Sequence, residues 1–317
     1  MPTRATRAAG AVTALVIGVA PVTACGAREA SGPSKSIVTL GFVNGGKTEF
    51  HTCLQKALEG EATRRGIKVI TANSKQDAAA ELSNIENLIA QDVDAVIVQT
   101  VNTNALKADV AKANQAKIPI FVTSVVPGDQ NSVLGAVVVD LNQVGLLDAS
   151  WVSNDAVGAK ADAGIIAGAP GAASDLLVKG FKDNLPKNIK VVASQPGMYN
   201  RAKAKAVATQ MIKDHPELRY AFVANEDMAV GASEAFQAAQ RNVKIVTVNG
   251  TDEGLDAIND GRFAATVSNP PSKLGQKAVE NTLSLLNEEP INKIDYVPIA
   301  LIDKQDLDQA PQYCLTS

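Results

Sequence analysis

The sequence predicts an α/β protein of two Rossmann-like lobes, each built on a doubly wound parallel sheet. Short apolar runs rich in β-branched residues alternate with longer segments of helical spacing from residue 37 to residue 267. These runs lack a polar face, which is typical of parallel strands covered by helices on both sides. Aromatic residues make up only 4% of the 317-residue chain. Its apolar side chains are therefore mainly Ala, Val, Ile and Leu, which suit buried strands beneath Ala-rich helices.

The first half of the pattern contains four strand-like runs. They are IVTLGFV (37–43), IKVITA (67–72), DAVIVQ (94–99) and IPIFVT (118–123). The segment 77–91 illustrates the helices expected between them. Its apolar residues, such as Ile85 and Leu88, fall on one helical face, and Asp77 is placed as an N-cap.

The second half repeats the pattern with five further runs. They are ADAGIIAG (161–168), IKVVAS (189–194), RYAFVA (219–224), KIVTV (244–248) and FAATV (263–267). The stretch around Val133–Asp140 interrupts the alternation between the halves. Because about ten strands are many for one sheet, we expect two lobes of similar size.

The first 26 residues have the pattern of a secretory signal. Arg4 and Arg7 precede an apolar run that is shorter than the roughly 20 residues of a membrane-spanning helix. The following VTAC resembles the lipobox of bacterial lipoproteins, in which the cysteine is acylated. We therefore expect a signal peptide over 1–24, lipidation of Cys25 and a tether over 25–36. The protein would be extracytoplasmic and lipid-anchored to the cell membrane. A small-residue cleavage site that happens to contain a cysteine is the alternative.

The size and charge of the processed chain exclude one class of partner. Removing 24 of 317 residues leaves 293, and the loss of Arg4 and Arg7 moves the net charge from −3 to −5. Binding to a phosphate backbone requires concentrated Lys and Arg. We therefore expect no nucleic-acid partner.

Cys53 and Cys314 are the remaining cysteines. A disulfide between them would persist in an oxidising compartment and would close almost the whole domain into one loop. If they are bonded, we expect the C-terminal tail to be tied to the first lobe, which would limit opening. Two free thiols are the alternative, since a bridge requires Cα atoms within about 7 Å.

Polar and aromatic side chains follow most of the strand-like runs. Open parallel sheets bind ligands at the carboxyl ends of their strands, so these side chains are candidate ligand contacts. They are Asn44, Phe50, His51, Ser124, Tyr199, Arg201, Asn225, Asn249 and Asn269. An Asn amide offers donors and an acceptor without charge, which suits hydroxyl groups. For any single Asn, capping a helix or forming a turn is the alternative.

Several motifs resemble those of the ribose-type (type I) periplasmic binding proteins of ABC sugar importers. The most specific are FVANEDMAVGA (222–232), IVTVNGTDEG (245–254) and GRFAATVSNPPSKLG (261–275), and the similarity covers 37–305. The resemblance implies two lobes that close over a ligand. It places the N-terminal lobe at 37–139 plus 270–297 and the C-terminal lobe at 140–269 plus 298–317. Three crossovers would join them, near Val139–Asp140, Asn269–Pro270 and Val297–Pro298.

The resemblance also implies ligand contacts, with informative departures. The family's contacting positions map onto Phe50, Ser124, Tyr199, Arg201, Asn225, Asn249 and Asn269. Ser124-Val125 stand where ribose binders have an Asp-Arg pair, Leu177 stands roughly at another arginine, and Asn249 replaces an aspartate. A buried charge needs a partner of opposite sign. It is therefore chemically consistent that the positive and the negative side chains of the ribose binders are replaced together by neutral ones. We expect the ligand to be a neutral sugar or sugar alcohol, and we do not assume that it is ribose.

Two of the candidate residues have a second interpretation. Arg201 can donate a charge-assisted hydrogen bond to a ligand oxygen, or it can pair with Glu226 or Asp227. His51 can stack or donate in the cleft, or it can simply cap its helix.

Other classes of function have little support. GAPGAASD (168–175) resembles a phosphate-binding turn but lacks the lysine of a P-loop, and no hydrolase or zinc-protease motif occurs. A repressor would carry a basic DNA-binding segment where this chain has its signal. We expect a monomeric, non-enzymatic lipoprotein without cofactor or metal that passes its ligand to an ABC permease. A sensory lipoprotein that serves a chemoreceptor or sensor kinase, and a binder of nucleosides, are the alternatives.

Overall fold

The computed structural model describes residues 38–123 and 125–315, apart from the side chains of Thr103 and Ala172. The predicted signal, Cys25, the tether and Ser124 lie outside the described residues. The strands are β1 (Thr39–Asn44), β2 (Lys68–Asn73), β3 (Ala95–Gln99), β4 (Ile120–Val122), β5 (Gly135–Val138), β6 (Ala161–Ala167), β7 (Ile189–Pro196), β8 (Leu218–Val223), β9 (Lys244–Asn249), β10 (Ala265–Ser268), β11 (Ile294–Tyr296) and β12 (Leu301–Asp303). The helices are α1 (Glu49–Arg64), α2 (Ala78–Ile89), α3 (Thr103–Gln115), α4 (Leu141–Ala156), α5 (Ala172–Asn184), α6 (Arg201–Asp214), α7 (Glu226–Ala238), α8 (Asp252–Asn259) and α9 (Pro271–Leu286).

The strands form two six-stranded sheets within the described residues. The first sheet has the order β11-β5-β4-β3-β1-β2, and its pairs are parallel. The second has the order β12-β10-β9-β8-β6-β7, with only the β10–β12 pair antiparallel. The predicted α/β fold with two parallel-sheet lobes is confirmed. We call the sheets with their helices the first lobe and the second lobe.

Three strands were not predicted from the sequence pattern. The stretch 133–140 is not an interruption, because β5 lies in it and pairs in parallel with β4 and β11. Among the described residues between β4 and β5, the helical structure is limited to a 3₁₀ turn over Gln130–Ser132, so the helical part of the alternating pattern is missing there. β11 and β12 are three residues each and incompletely buried, and they carry little apolar signal.

The chain passes between the two lobes at three places that lie side by side. After β5 it continues into α4, which packs on β9 and β10. After β10 it returns through α9, which packs on α1 and β5. The third passage, at 297–300, is bonded to the other two. The Val297 N–H donates to Val138 O (2.9 Å) and the Ser268 N–H donates to Ala300 O (2.8 Å).

Local sequence explains the helices that flank the site. Asp77 caps α2 as predicted, its carboxylate accepting from the Ala80 N–H at 2.7 Å. Asn102, Asn225 and Thr251 cap α3, α7 and α8 in the same way. These caps begin helices at the carboxyl ends of strands, where a parallel sheet presents its ligand-binding edge. Within the described chain, no helix has both the length and the apolar character to span a membrane.

The α4–α5 contact brings two helix backbones together. A Cβ atom on Gly145 would overlap the carbonyl oxygen of Leu177, and one on Gly180 would overlap that of Asn142. Each helix therefore depends on the missing side chain of a glycine at the contact. This contact packs α4, the first element after the passage from β5, against the helix that follows β6.

Substituting Gly145 by alanine is expected to lower the free energy of unfolding by about 1–3 kcal/mol, because the backbones must separate. Gly60 is the matched control. It lies in α1, is exposed, and a Cβ there would meet nothing within 4 Å. Gly60→Ala is expected to raise stability by up to about 1 kcal/mol. Urea unfolding of both variants measures the difference. Equal effects of the two substitutions would contradict the close approach.

Candidate functional site

A cavity of about 510 Å³ lies between the two lobes, at the carboxyl ends of their strands. This volume is in the range of small-molecule sites. The first lobe lines it with the segments that follow β1, β2, β3 and β4, and the second lobe lines it with those that follow β6, β7, β8 and β9. The register explains the convergence, since Asn44 pairs with Gln99 in the first sheet and Asn249 pairs with Ser268 in the second.

Most of the residues predicted as ligand contacts line this cavity. They are Phe50, His51, Tyr199, Arg201, Asn225, Asn249 and Asn269. Ser124 lies outside the described residues, and its neighbours Thr123 and Val125 line the wall.

The structure corrects the prediction for Asn44, which does not line the cavity. It is 1% exposed, and its Nδ2 donates to His51 O (2.9 Å) and to the Gln55 Oε1 (3.3 Å). The amide of Asn44 therefore stabilises the N-terminal part of α1, which carries the cavity-lining residues Phe50 and His51.

Phe50 and His51 form the aromatic wall of the first lobe. Their rings meet edge to face, with centroids 5.7 Å apart at 87°. The His51 Nδ1 lies 2.7 Å from the Thr48 Oγ1. Burial lowers the pKa of His51 to about 4, although a hydrogen bond to Gln99 partly offsets this. The imidazole is therefore neutral at pH 7 and offers one donor and one acceptor.

Tyr199 is the aromatic residue of the opposite wall. Its ring lies directly on the backbone of Gly168, where a Cβ atom would collide with the ring. Its φ of 50° is in the left-handed region, so the loop after β7 holds it in a conformation that few residues adopt. Burial, with a smaller contribution from Asp175, raises the pKa of Tyr199 to about 12. The phenol is therefore a neutral donor.

Three asparagines of the second lobe reach the cavity by different routes. Asn225 both caps α7 and lines the wall, and the cap uses its Oδ1, which accepts from the Met228 N–H (2.9 Å). Asn249 has a φ of 150°, a conformation that favours glycine. The Asn269 N–H donates to Asn249 O (2.9 Å). The Oδ1 of Asn269 is buried and has no hydrogen-bond partner among the described residues.

Glu226 holds the turn that carries Asn249. Its carboxylate accepts from the N–H groups of Gly250 and Thr251 (2.7 Å each), from the Thr266 Oγ1 (2.6 Å) and from the Thr251 Oγ1. Burial raises its pKa, and these hydrogen bonds act in the opposite direction. Four donors on one carboxylate fix the turn from within the lobe.

Arg201 lies at the rim of the cavity and is engaged in two ion pairs. Its Nε is 2.9 Å from Asp227 Oδ1 and its guanidinium is 2.6 Å from Glu253 Oε2. The ion-pair alternative with Asp227 is therefore present in the structure, whereas Glu226 is buried and bonded elsewhere. The side chain is 40% exposed, so it still borders the opening.

The mouth of the cavity carries an excess of negative charge. Burial raises the pKa of Glu49 on the first lobe, and Asp252, Glu253 and Asp227 of the second lobe raise it further. These charges face each other across the opening, and Arg201 compensates only part of them. The arrangement disfavours anionic ligands.

The strand-end rule applied to the sequence overlooked some lining residues. Gln99 ends β3, and its Oε1 accepts from the Gly45 N–H at 3.0 Å. The same rule that selected Asn249 could have found it. Tyr313 also lines the cavity but comes from the C-terminal tail, where no strand or helix signal marks it. No cluster of three metal-ligating side chains occurs in 38–123 or 125–315.

The fold and this cavity agree with a family of known proteins. The chain matches the periplasmic binding protein domain over residues 40–290, and it belongs to that family. The ribose import binding protein RbsB of Bacillus subtilis (strain 168) is 28% identical over 277 residues, covering 87% of this chain and 90% of the relative. The xylitol-binding protein of Mycolicibacterium smegmatis is 27% identical over 250 residues, covering 77% of this chain and 71% of the relative.

A solved structure has a similar fold. The periplasmic binding protein component of the arabinose ABC transporter from Shewanella sp. ANA-3, bound to α- and β-L-arabinofuranose, superposes with a TM-score of 0.79 at 27% identity. The match covers 86% of this chain and 94% of that chain. The similarity therefore extends over both lobes.

Protonation of His51 is expected to cost stability as the pH falls. A base whose pKa falls on folding binds more protons when unfolded, so the contribution of His51 is full above pH 6.5 and is lost as the pH falls towards 4. This loss reaches about 3 kcal/mol at most, at about 1.4 kcal/mol per pKa unit. Buried carboxyl groups whose pKa is raised, such as Asp109, act in the opposite direction over the same range, so the loss is measured as a difference between two proteins. Urea unfolding of wild type and His51→Gln between pH 7 and pH 4 measures it, and the stability of wild type relative to His51→Gln should fall by that amount. Parallel pH profiles of the two proteins would contradict the prediction.

Replacing Glu226 by glutamine is expected to reduce the free energy of unfolding by about 3 kcal/mol. The amide nitrogen of glutamine cannot accept a hydrogen bond, so buried donors lose their partner. Glu234→Gln, which changes an exposed pair with Lys205, should leave the urea midpoint unchanged. A Glu226→Gln protein that unfolds at the wild-type urea concentration would show that the network does not hold the turn.

Proposed function

We propose that the protein is a substrate-binding protein of an ABC importer that takes up a small neutral sugar or sugar alcohol. The observation that carries this proposal is the composition of the cavity wall. Uncharged side-chain amides of Gln99, Asn225, Asn249 and Asn269 line it, together with aromatic residues of both lobes. Amide groups pair with hydroxyl groups of a ligand, and flat rings cover its C–H surfaces.

Apolar and neutral groups at other positions support a ligand without charge. Val125 and Leu177 line the wall and are 7% and 4% exposed. A charged ligand group beside them would need a buried partner, which costs free energy when it is absent. The acidic mouth acts in the same direction by repelling phosphorylated sugars and sugar acids.

Binding is coupled to closure of the two lobes. The ligand contacts residues of both, so it stabilises the closed form through contacts that the open form lacks. We propose that the three passages form the hinge. The lobe limits are those expected from the sequence, 37–139 plus 270–297 and 140–269 plus 298–317.

The proposal also includes the location and the partners. The signal over 1–24 exports the chain, and Cys25 carries the lipid that anchors it to the outer face of the cell membrane. The closed form is recognised by the permease, and the protein works as a monomer without a covalent step or a cofactor. Ribose import and xylitol binding, the functions named for two relatives, are consistent with this class of ligand.

Thermal unfolding of residues 26–317 with a ligand panel tests the proposal. The panel contains D-ribose, L-arabinose, D-galactose, D-allose, xylitol and myo-inositol, with ribose 5-phosphate, glucuronate and adenosine as comparisons. A ligand at about 1,000 times its Kd adds about 4 kcal/mol of stability, which raises the midpoint by several degrees. We expect a shift with a neutral polyhydroxy compound and none with the two anions. Shifts confined to adenosine would instead indicate a nucleoside binder.

Two variants connect a positive result to the cavity. Asn249→Ala and Asn269→Ala are each expected to raise the Kd of the best ligand about tenfold, since each removes one buried hydrogen-bonding group. Asn154→Ala, on an exposed position of α4, is the control and should bind as wild type. Unchanged affinity in both cavity variants would place the ligand elsewhere.

A further inference from the structure

The C-terminal tail returns to the cavity after the last strand of the second lobe. After β12 the chain reaches the wall at Tyr313, which is only 3% exposed and lines the cavity. This residue belongs to neither set of strand-end loops. It is therefore a component of the wall that the two-lobe pattern does not account for.

Three bonds fix the tail at this place. Cys314 is joined by a disulfide to Cys53 of α1, with Cα atoms 4.9 Å apart. The Ser272 Oγ donates to Gln312 O (2.7 Å), and the Ser272 N–H donates to Tyr313 O (3.3 Å). The residues before and after Tyr313 are thus held by α9 and α1, both of the first lobe.

The phenol group of Tyr313 lacks a partner. Its hydroxyl is buried without a hydrogen bond to any described residue, and the Oδ1 of Asn269, in the same cavity wall, is in the same state. A buried tyrosine hydroxyl ordinarily finds a partner, and leaving it unpaired is unfavourable. Burial raises the pKa of Tyr313 well above its usual value, and Glu226 and Glu49 add to this. The hydroxyl therefore keeps its proton and is a donor.

We propose that Tyr313 is a specificity-determining ligand contact, whose hydroxyl bonds one hydroxyl of the ligand, and that the Cys53–Cys314 disulfide positions it there. The inference rests on the proposed function, because it requires a hydroxylated ligand in this cavity. The disulfide then has a role in binding in addition to holding the chain end. Its reduction weakens binding by releasing Tyr313 from the wall.

Titration calorimetry of Tyr313→Phe, in residues 26–317, tests the contact with the panel member that binds wild type most tightly. The variant keeps the ring and removes only the hydroxyl. We expect its Kd to rise about tenfold, the loss of one buried hydrogen bond. Tyr296→Phe is the matched control, because that tyrosine is 53% exposed and does not line this cavity; its Kd should be unchanged.

Deoxy analogues of the same ligand separate a contact from a structural role. One analogue, which lacks the hydroxyl that Tyr313 binds, should bind wild type and Tyr313→Phe equally, since the missing bond is the same in both. A Tyr313→Phe protein that loses the same factor with every analogue, or none with the parent ligand, would overturn the inference and leave the proposed function intact. No binding of the panel by wild type would overturn both.

Reduction tests the positioning role of the disulfide. Treatment with a phosphine reductant should weaken binding by wild type several-fold and weaken binding by Tyr313→Phe by a smaller factor, because the variant has only the ring contact to lose. The double variant Cys53→Ser with Cys314→Ser should behave as reduced wild type, which controls for effects of the reductant. An equal loss in wild type and Tyr313→Phe would show that the bond acts on the fold and not through Tyr313.

Discussion

The geometry of the second lobe's part of the cavity depends on the buried carboxylate of Glu226. Its four donors come from the turn after β9 and from β10, so one side chain ties two strand ends to the start of α7. Asn249 needs this restraint, since its φ of 150° is sparsely populated and persists only when the surroundings determine it. The neighbouring Asn225 is fixed in the same step, because it caps the helix that Glu226 begins. In the proposed complex the ligand would meet amides that are already oriented, which lowers the entropy lost on binding.

In the first lobe, a different buried glutamate holds a loop at the cavity. Glu81 of α2 is buried and accepts from the Thr100 Oγ1 (2.6 Å) and from the next backbone N–H (2.8 Å), which holds the loop after β3. Each glutamate has a buried aspartate near it. Burial, together with the nearby glutamate, raises the pKa of Asp109 to about 8 and that of Asp148 well above its usual value. These shifts favour the protonated form of each aspartate, which reduces the repulsion between the two carboxyl groups in each lobe.

The alternation of apolar runs predicted the sheets because most strands are buried on both faces. It failed for β5, which follows a 3₁₀ turn, and for the short edge strands β11 and β12, whose pairing depends on the rest of the sheet. At the site, the strand-end rule found Asn225, Asn249 and Asn269 but misplaced Asn44, because the direction of a side chain at a strand end depends on the helix packed behind it. Tyr313 had no local signal in the sequence. Its position follows from the disulfide that joins the next residue, Cys314, to Cys53, which lies 261 residues earlier in the chain.

That separation has a consequence for the order in which the parts of the cavity are made. Cys53 is made well before Cys314, because 261 residues separate them. Synthesis proceeds from the N-terminus, so the residues of both sheets are made before the segment that carries Tyr313. A chain cut between β12 and Tyr313 would keep the residues of both lobes but lack this part of the cavity wall.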